Sequence, residues 1–363
     1  MVIGYLLDDT LDKPDGVQQA MIAIGENMKS KGHEVHYIVA ETSRTDLTNI
    51  HSVGKFISLK FNGNSIRTPL PASRTAIKRL LNQIDFDVLH VQMPYSPLLT
   101  AKVMKMAPKS TKRFGTFHIL PYNSAANIGT KFVGMIMQRS IRSLDKCLAV
   151  SSPALKFMEK SFGVKGTVLG NPVDYNFYNS VKPKKYDKLQ FVFVGRFDER
   201  KGVLQLAEAF KQLDKETRDK VQLTMCSKGP LLEKVKKISE DNNLGIKFPG
   251  FISEEEKAQY LASADLAIFP SINGESFGIV LTEAMSAGAK LTIGGNNPGY
   301  SSVLEHWPEV LFDPTNVVEF SGLLKSYIDD PKQFMAIGKL QHEHVKRFDI
   351  EKITDTLIGM YSD

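Results

Sequence analysis

Cysteine is nearly absent from this chain. There are two in 363 residues, Cys147 and Cys226, far apart and matching no metal or redox spacing. That excludes a disulfide framework and a cysteine-built zinc site, and both read as reduced structural thiols of a cytosolic protein. No apolar run approaches the roughly 20 residues that a membrane span needs. The opening "MVIGYLLDD" lacks a basic leader and reaches acids after seven residues, so no signal peptide is expected. Acids are scarce in one stretch: residues 51–146 carry 15 Lys/Arg and only three acids, Asp85, Asp87 and Asp145.

That scarcity makes the charge lopsided. Residues 1–171 hold 22 Lys/Arg against 12 Asp/Glu, while 172–363 hold 24 against 28. A basic half beside a mildly acidic half points to an anionic partner for the first half. Membrane lipid and a phosphorylated substrate both qualify. Nucleic acid is set aside, because no binding module or interleaved aromatic platform is present.

The length suits two domains. "VIGYLL" reads as a buried strand, followed by the turn-rich "DDTLDKPDG". Val17, Met21, Ile24 and Met28 then recur at helical spacing, and "VHYIVA" is the next strand. This is the unit of a parallel α/β sheet. The same order restarts at residue 189 with "LQFVFVG", then "VQLTMCS", "GIKFPG", "DLAIFPS" and "AKLTIGG". The expected fold is α/β, two tandem Rossmann-like doubly wound domains facing across a cleft. The expected division is 1–171, 172–343 and a C-terminal helical segment, 344–363, that packs back on the first domain. Open α/β sheets bind ligands at the carboxyl ends of their strands.

Two stretches carry the chemistry. In "GRFDERKG", Arg196 follows a strand and Lys201 comes five residues later. A guanidinium fork and a mobile ammonium one loop apart suit a diphosphate, or form a solvated charged loop. In "GESFGIVLTEAMSAG", a strand and loop feed a helix start. Amides near Ser276, Phe277 and Gly278 point out of that start, where the dipole favours an anion, and Gly278 lets a ligand approach. Ile279 opens an apolar packing face. Glu275 sits ahead of the amides, and Glu283 lies two turns into the helix among apolar residues, where burial demands a partner.

Taken together these segments resemble the family-4 glycosyltransferases of the GT-B fold. The motifs are "DGVQ", "DFDVLHVQMP", "GTFH", "AVSS", "GRFDERKG" and "GESFGIVLTEAMSAG", spread over nearly the whole chain. Within the family the wording is most similar to the bacterial phosphatidylinositol mannosyltransferases. The resemblance implies retaining, metal-independent transfer from a nucleoside diphosphate sugar, with no permanently bound cofactor. It implies that Arg196 and Lys201 neutralise charge developing on the leaving diphosphate. Glu275 orients the donor sugar, Glu283 the ribose, and His118 a sugar hydroxyl. Gly16 lets the first loop approach the donor; Asp15 stands where the family often has a second glycine.

The resemblance also implies an acceptor site near Gln18, His118 and the segment "LKFNGNSIRTP", with Asn62 and Arg67 at its polar positions. Phe61 and Ile119 replace hydroxyl-bearing residues there. For the base, Lys257 is kept, Ser253 occupies the expected acid position, and Glu254 stands beside it. Arg74, Lys78 and Arg79 flank an apolar stripe of Ile77, Leu80, Leu81 and Ile84, a pattern that lies on anionic lipid or forms an ordinary helix face. The leading expectation is a cytoplasmic enzyme, peripheral to the inner face of the cell membrane, moving mannose from GDP-mannose to a phospholipid such as phosphatidylinositol. The alternatives are a soluble transferase using a UDP-sugar on a glycan or small molecule, and a GT-B epimerase or non-catalytic sensor.

Overall fold

A computed structural model describes residues 1–12, 15–61, 64–69, 72–94, 96, 99–118, 120 and 137–363. The chain forms two compact units, one of Met1–Pro172 with Ile350–Asp363, the other of Val173–Asp349.

The first unit is built on a parallel sheet. Its strands are β1 (Val2–Leu7), β2 (Glu34–Val39), β3 (Ile50–Ser52), β6 (Val88–Gln92), β7 (Lys112–Phe117), β8 (Lys146–Ala149) and β9 (Thr167–Val168), ordered β3-β2-β1-β6-β7-β8-β9. A separate antiparallel pair, β4 (Phe56–Phe61) and β5 (Asn64–Pro69), lies between β3 and β6 in sequence. Every side chain of β6 is buried, as expected for a parallel strand covered on both faces. The helix Gly16–Ser30 covers one face with Met21, Ile24 and Met28.

The second unit repeats the plan. Strands β10 (Leu189–Val194), β11 (Val221–Cys226), β12 (Lys247–Gly250), β13 (Leu266–Phe269), β14 (Thr292–Gly295) and β15 (Leu311–Phe312) run parallel in the order β12-β11-β10-β13-β14-β15. The chain winds outward from β10 to β12, then returns to the other side of β10 as β13. The carboxyl ends of β10 and β13 therefore flank the topological switch point, where such sheets open a crevice.

The tail divides later than the sequence suggests. Residues 344–349 stay with the second unit, because Val173 N–H donates to the Phe348 carbonyl at 2.9 Å and the Phe348 ring packs edge-on against Phe277, centroids 5.1 Å apart. Only the helix Ile350–Ser362 returns to the first unit. Ile353, Leu357 and Tyr361 enter the core beside Tyr5, while Lys31 pairs with Glu351 and Asp355 at 2.7 and 2.9 Å.

Candidate active site

In the second unit, the loops after β10 and β13 are stitched together at the switch point. Asp198 caps the short turn Glu199–Lys201, accepting from the Lys201 amide at 3.1 Å. Gly202 follows at φ +68°, and a Cβ there would stand 2.0 Å from the Pro270 carbonyl oxygen, so only glycine fits. Ile272 N–H donates to the Arg200 carbonyl at 2.8 Å, and the Arg200 guanidinium donates to the Gly274 carbonyl at 2.9 Å. Lys201 then donates to Glu275 Oε1 at 2.7 Å, with Arg200 at 3.3 Å from the same oxygen. Lys201 and Glu275 are largely buried; Arg196 is exposed, two residues beyond β10.

Arg200 also belongs to this site, although the sequence reading took only Arg196 and Lys201 from that loop. Its position one residue before Lys201 in a 3-10 turn was the only available signal.

The helix Ile279–Ala287 begins at Gly278, which takes φ +124° and would clash with the Tyr300 ring at 2.7 Å if it carried a Cβ. Gly299 backs the same loop, where a Cβ would stand 2.3 Å from the Glu275 carbonyl oxygen. The loop through Ser276 and Phe277 is thus clamped by two close backbone approaches. Leu281 N–H donates to the Gly278 carbonyl at 3.0 Å, so the amides ahead of Leu281 stand at the open start of the helix.

A second cluster joins three residues singled out for the nucleoside. Lys257 donates to Glu283 Oε1 at 2.7 Å and pairs with Glu254 at 2.8 Å; the Tyr178 hydroxyl donates to Glu254 at 3.2 Å. Burial pushes the Glu283 carboxyl upward, and the Lys257 ammonium pulls it back in part. Tyr178 had no sequence signal, since it comes from the short helix Tyr175–Asn179, far away in the chain. Ser253 takes a different role from the one expected. Its hydroxyl accepts from the Glu256 amide at 3.2 Å and completes a capping box on the helix Glu254–Ala262.

In the first unit, His118 stands just beyond β7, and its Nε2 lies 2.7 Å from Gln92 Oε1 at the end of β6. Burial lowers its pKa to about 4, so the ring is neutral near pH 7. Gly16 opens its helix and is exposed. Gln18, expected near the acceptor, is buried and donates to the Thr10 carbonyl at 3.3 Å. Asn62 and Ile119 lie outside the described residues, and Arg67 is described only as part of β5.

Arg74, Lys78 and Arg79 are exposed on the helix Arg74–Gln83, but the apolar stripe is not available to lipid. Ile77, Leu80 and Leu81 are buried in the core with Leu89 and Val103. Lys102, Lys112 and Arg113 also spend donors on backbone carbonyls, of Ala72, Tyr361 and Ala107. Among the described residues no helix is long and apolar enough to cross a membrane.

Residues 14–177 match the model for Glycosyltransferase Family 4, and residues 175–343 match that for Glycosyl transferases group 1. A phosphatidyl-myo-inositol mannosyltransferase of Mycobacterium leprae is 30% identical over 294 residues, covering 79% of this chain and 77% of that protein. The chain belongs to the family-4 glycosyltransferases. The phosphatidyl-myo-inositol mannosyltransferase of Mycolicibacterium smegmatis is 29% identical over 368 residues, 99% of this glycosyltransferase and 93% of that one. Among solved structures, Anabaena HepE in complex with UDP superposes with a TM-score of 0.77 at 16% identity, over 100% of both chains. Together with TarM, at a TM-score of 0.74 and 11% identity over 99% of this chain and 98% of that one, it shares the GT-B fold of two Rossmann-like domains. The Lys201–Glu275 pair lies in the loops that follow β10 and β13, at the carboxyl ends of strands, where open α/β sheets bind ligands.

Proposed function

We propose that this glycosyltransferase moves mannose from GDP-mannose, with retention, to phosphatidylinositol or another lipid-linked acceptor at an anionic membrane surface. The observation that carries the reading is the similarity to named phosphatidyl-myo-inositol mannosyltransferases over as much as 99% of the chain. The site chemistry supports a nucleoside diphosphate donor. Arg196 offers an exposed guanidinium, and Lys201 has three N–H donors, so it can hold Glu275 and still donate to a phosphate. Charge that develops on the leaving diphosphate is then met by cations already fixed in place. Glu275 orients the sugar, Glu283 the ribose, and neutral His118 a sugar hydroxyl. Lys257 and Glu254 take the base, and Arg74, Lys78 and Arg79 attach the enzyme by charge alone.

A second reading keeps the chemistry and changes both substrates: a UDP-sugar and a glycan. It is motivated by the UDP bound in the Anabaena HepE structure. Calorimetry with GDP and UDP separates the two readings, followed by turnover of GDP-mannose with and without phosphatidylinositol vesicles. Preference for UDP, or turnover indifferent to lipid, would overturn the first reading.

A further inference from the structure

β6 and β7 lie side by side, with Gln92 opposite Thr116. Along this seam the same diagonal contact occurs twice. His90 Nε2 lies 2.7 Å from Thr116 Oγ1, and Gln92 Oε1 lies 2.7 Å from His118 Nε2. In both, a side chain of β6 reaches past its directly paired residue to the one two positions further on. The other ring nitrogen of His90 meets the Tyr361 hydroxyl, brought in by the helix Ile350–Ser362. His90, Gln92, Thr116 and His118 line one small pocket, and Gln92 is buried. The lower contact is thus braced from both sides, and the upper one stands on it.

An amide oxygen can only accept. The imidazole nitrogen facing it must carry the hydrogen, which leaves the other nitrogen of a neutral ring with a free lone pair. Burial keeps the ring in that neutral form. We propose that Gln92 is a positioning residue that fixes His118 as the Nε2–H tautomer, so that Nδ1 accepts a hydrogen bond from a hydroxyl of the donor sugar. This rests on the reading above that His118 meets the donor sugar. The substrate consequence is definite. A lone pair at that point takes a hexose with a hydroxyl there, and disfavours one with a carboxylate, which has no hydrogen to give.

The tautomer is read directly by nitrogen-15 NMR of histidine-labelled full-length protein without ligand, with His118 assigned by the signal lost in His118→Ala. The expected spectrum shows His118 protonated at Nε2 and not titrating between pH 5.5 and 8. Gln92→Leu should mix the tautomers and lower kcat for GDP-mannose with phosphatidylinositol vesicles by roughly 10- to 100-fold through lost orientation, leaving GDP affinity unchanged. Gln92→Glu places a carboxylate on the ring, so His118 should titrate at a higher pH and kcat should gain an acid limb that wild type lacks. An Nδ1–H tautomer in wild type, or an unchanged tautomer in Gln92→Leu, overturns the proposal. If the tautomer behaves as stated but His118→Ala turns over donor at the wild-type rate, the sugar contact is overturned and the His118–Gln92 coupling stands.

Discussion

Lys201 and Glu275 are each other's partner, nitrogen to oxygen 2.7 Å, although 74 residues separate them in sequence. The cation expected at the diphosphate and the acid expected at the sugar are held as one unit across the ends of β10 and β13. Function and stability are therefore coupled at this pair.

Lys201→Met should lower stability by about 1–3 kcal/mol, because it strips a charged hydrogen bond from a largely buried carboxylate while Arg200 still reaches it. Nucleoside diphosphate affinity should fall as well. Glu275→Gln keeps the shape, so it should spare diphosphate binding and lower kcat. Urea midpoints and calorimetry check both; equal losses of affinity in the two variants would contradict the assignment.

Lys257→Met should be more damaging, by about 3–5 kcal/mol, since Glu283 then stays buried without its cation. Adding Glu283→Leu should restore much of that stability, because no buried charge remains, while donor turnover stays lost. A double-mutant cycle on urea midpoints measures the coupling. Strictly additive effects would show that the pair does not act as drawn.

Acid should destabilise the protein through His118 and His90. Burial lowers His118 to about 4, and burial with a smaller push from His118 lowers His90 to about 3. Both are neutral in folded and unfolded chains above about pH 6.5. As pH falls below that, the unfolded chain takes up protons that the folded one refuses. Stability is thus lost between about pH 6.5 and 4, by about 2–3 kcal/mol for a shift of His118's size. Urea midpoints at pH 7.5 and 5 check this, and equal midpoints would refute it.

Membrane attachment should be electrostatic. Replacing Arg74, Lys78 and Arg79 together by Ser should weaken binding to anionic vesicles about 100-fold at low salt, at about 1 kcal/mol per charge. The fold should be unaffected, because the buried stripe is untouched. Co-sedimentation across a salt series reads the effect; binding that survives high salt would require an apolar anchor instead.

The sequence by itself determined the two parallel-sheet units, because strands buried on both faces read as continuous apolar runs whatever they pack against. It also showed that Glu283, set among apolar helix residues, would need a partner if buried, and that Lys201 and Glu275 lie in glycine-marked loops after strands. It could not say which charges pair. Lys201 with Glu275 and Lys257 with Glu283 are contacts between loops and helices distant in the chain, fixed by the strand order around β10. Nor could it separate a hydroxyl that caps its own helix, at Ser253, from one that reads a ligand, or a buried Gln18 from an exposed one. The apolar stripe of the helix Arg74–Gln83 shows the limit most plainly. Its spacing is the same for a lipid surface and for a protein core, and only the neighbouring β6 and the helix Thr100–Met106, which supply Leu89 and Val103, decide that it is core.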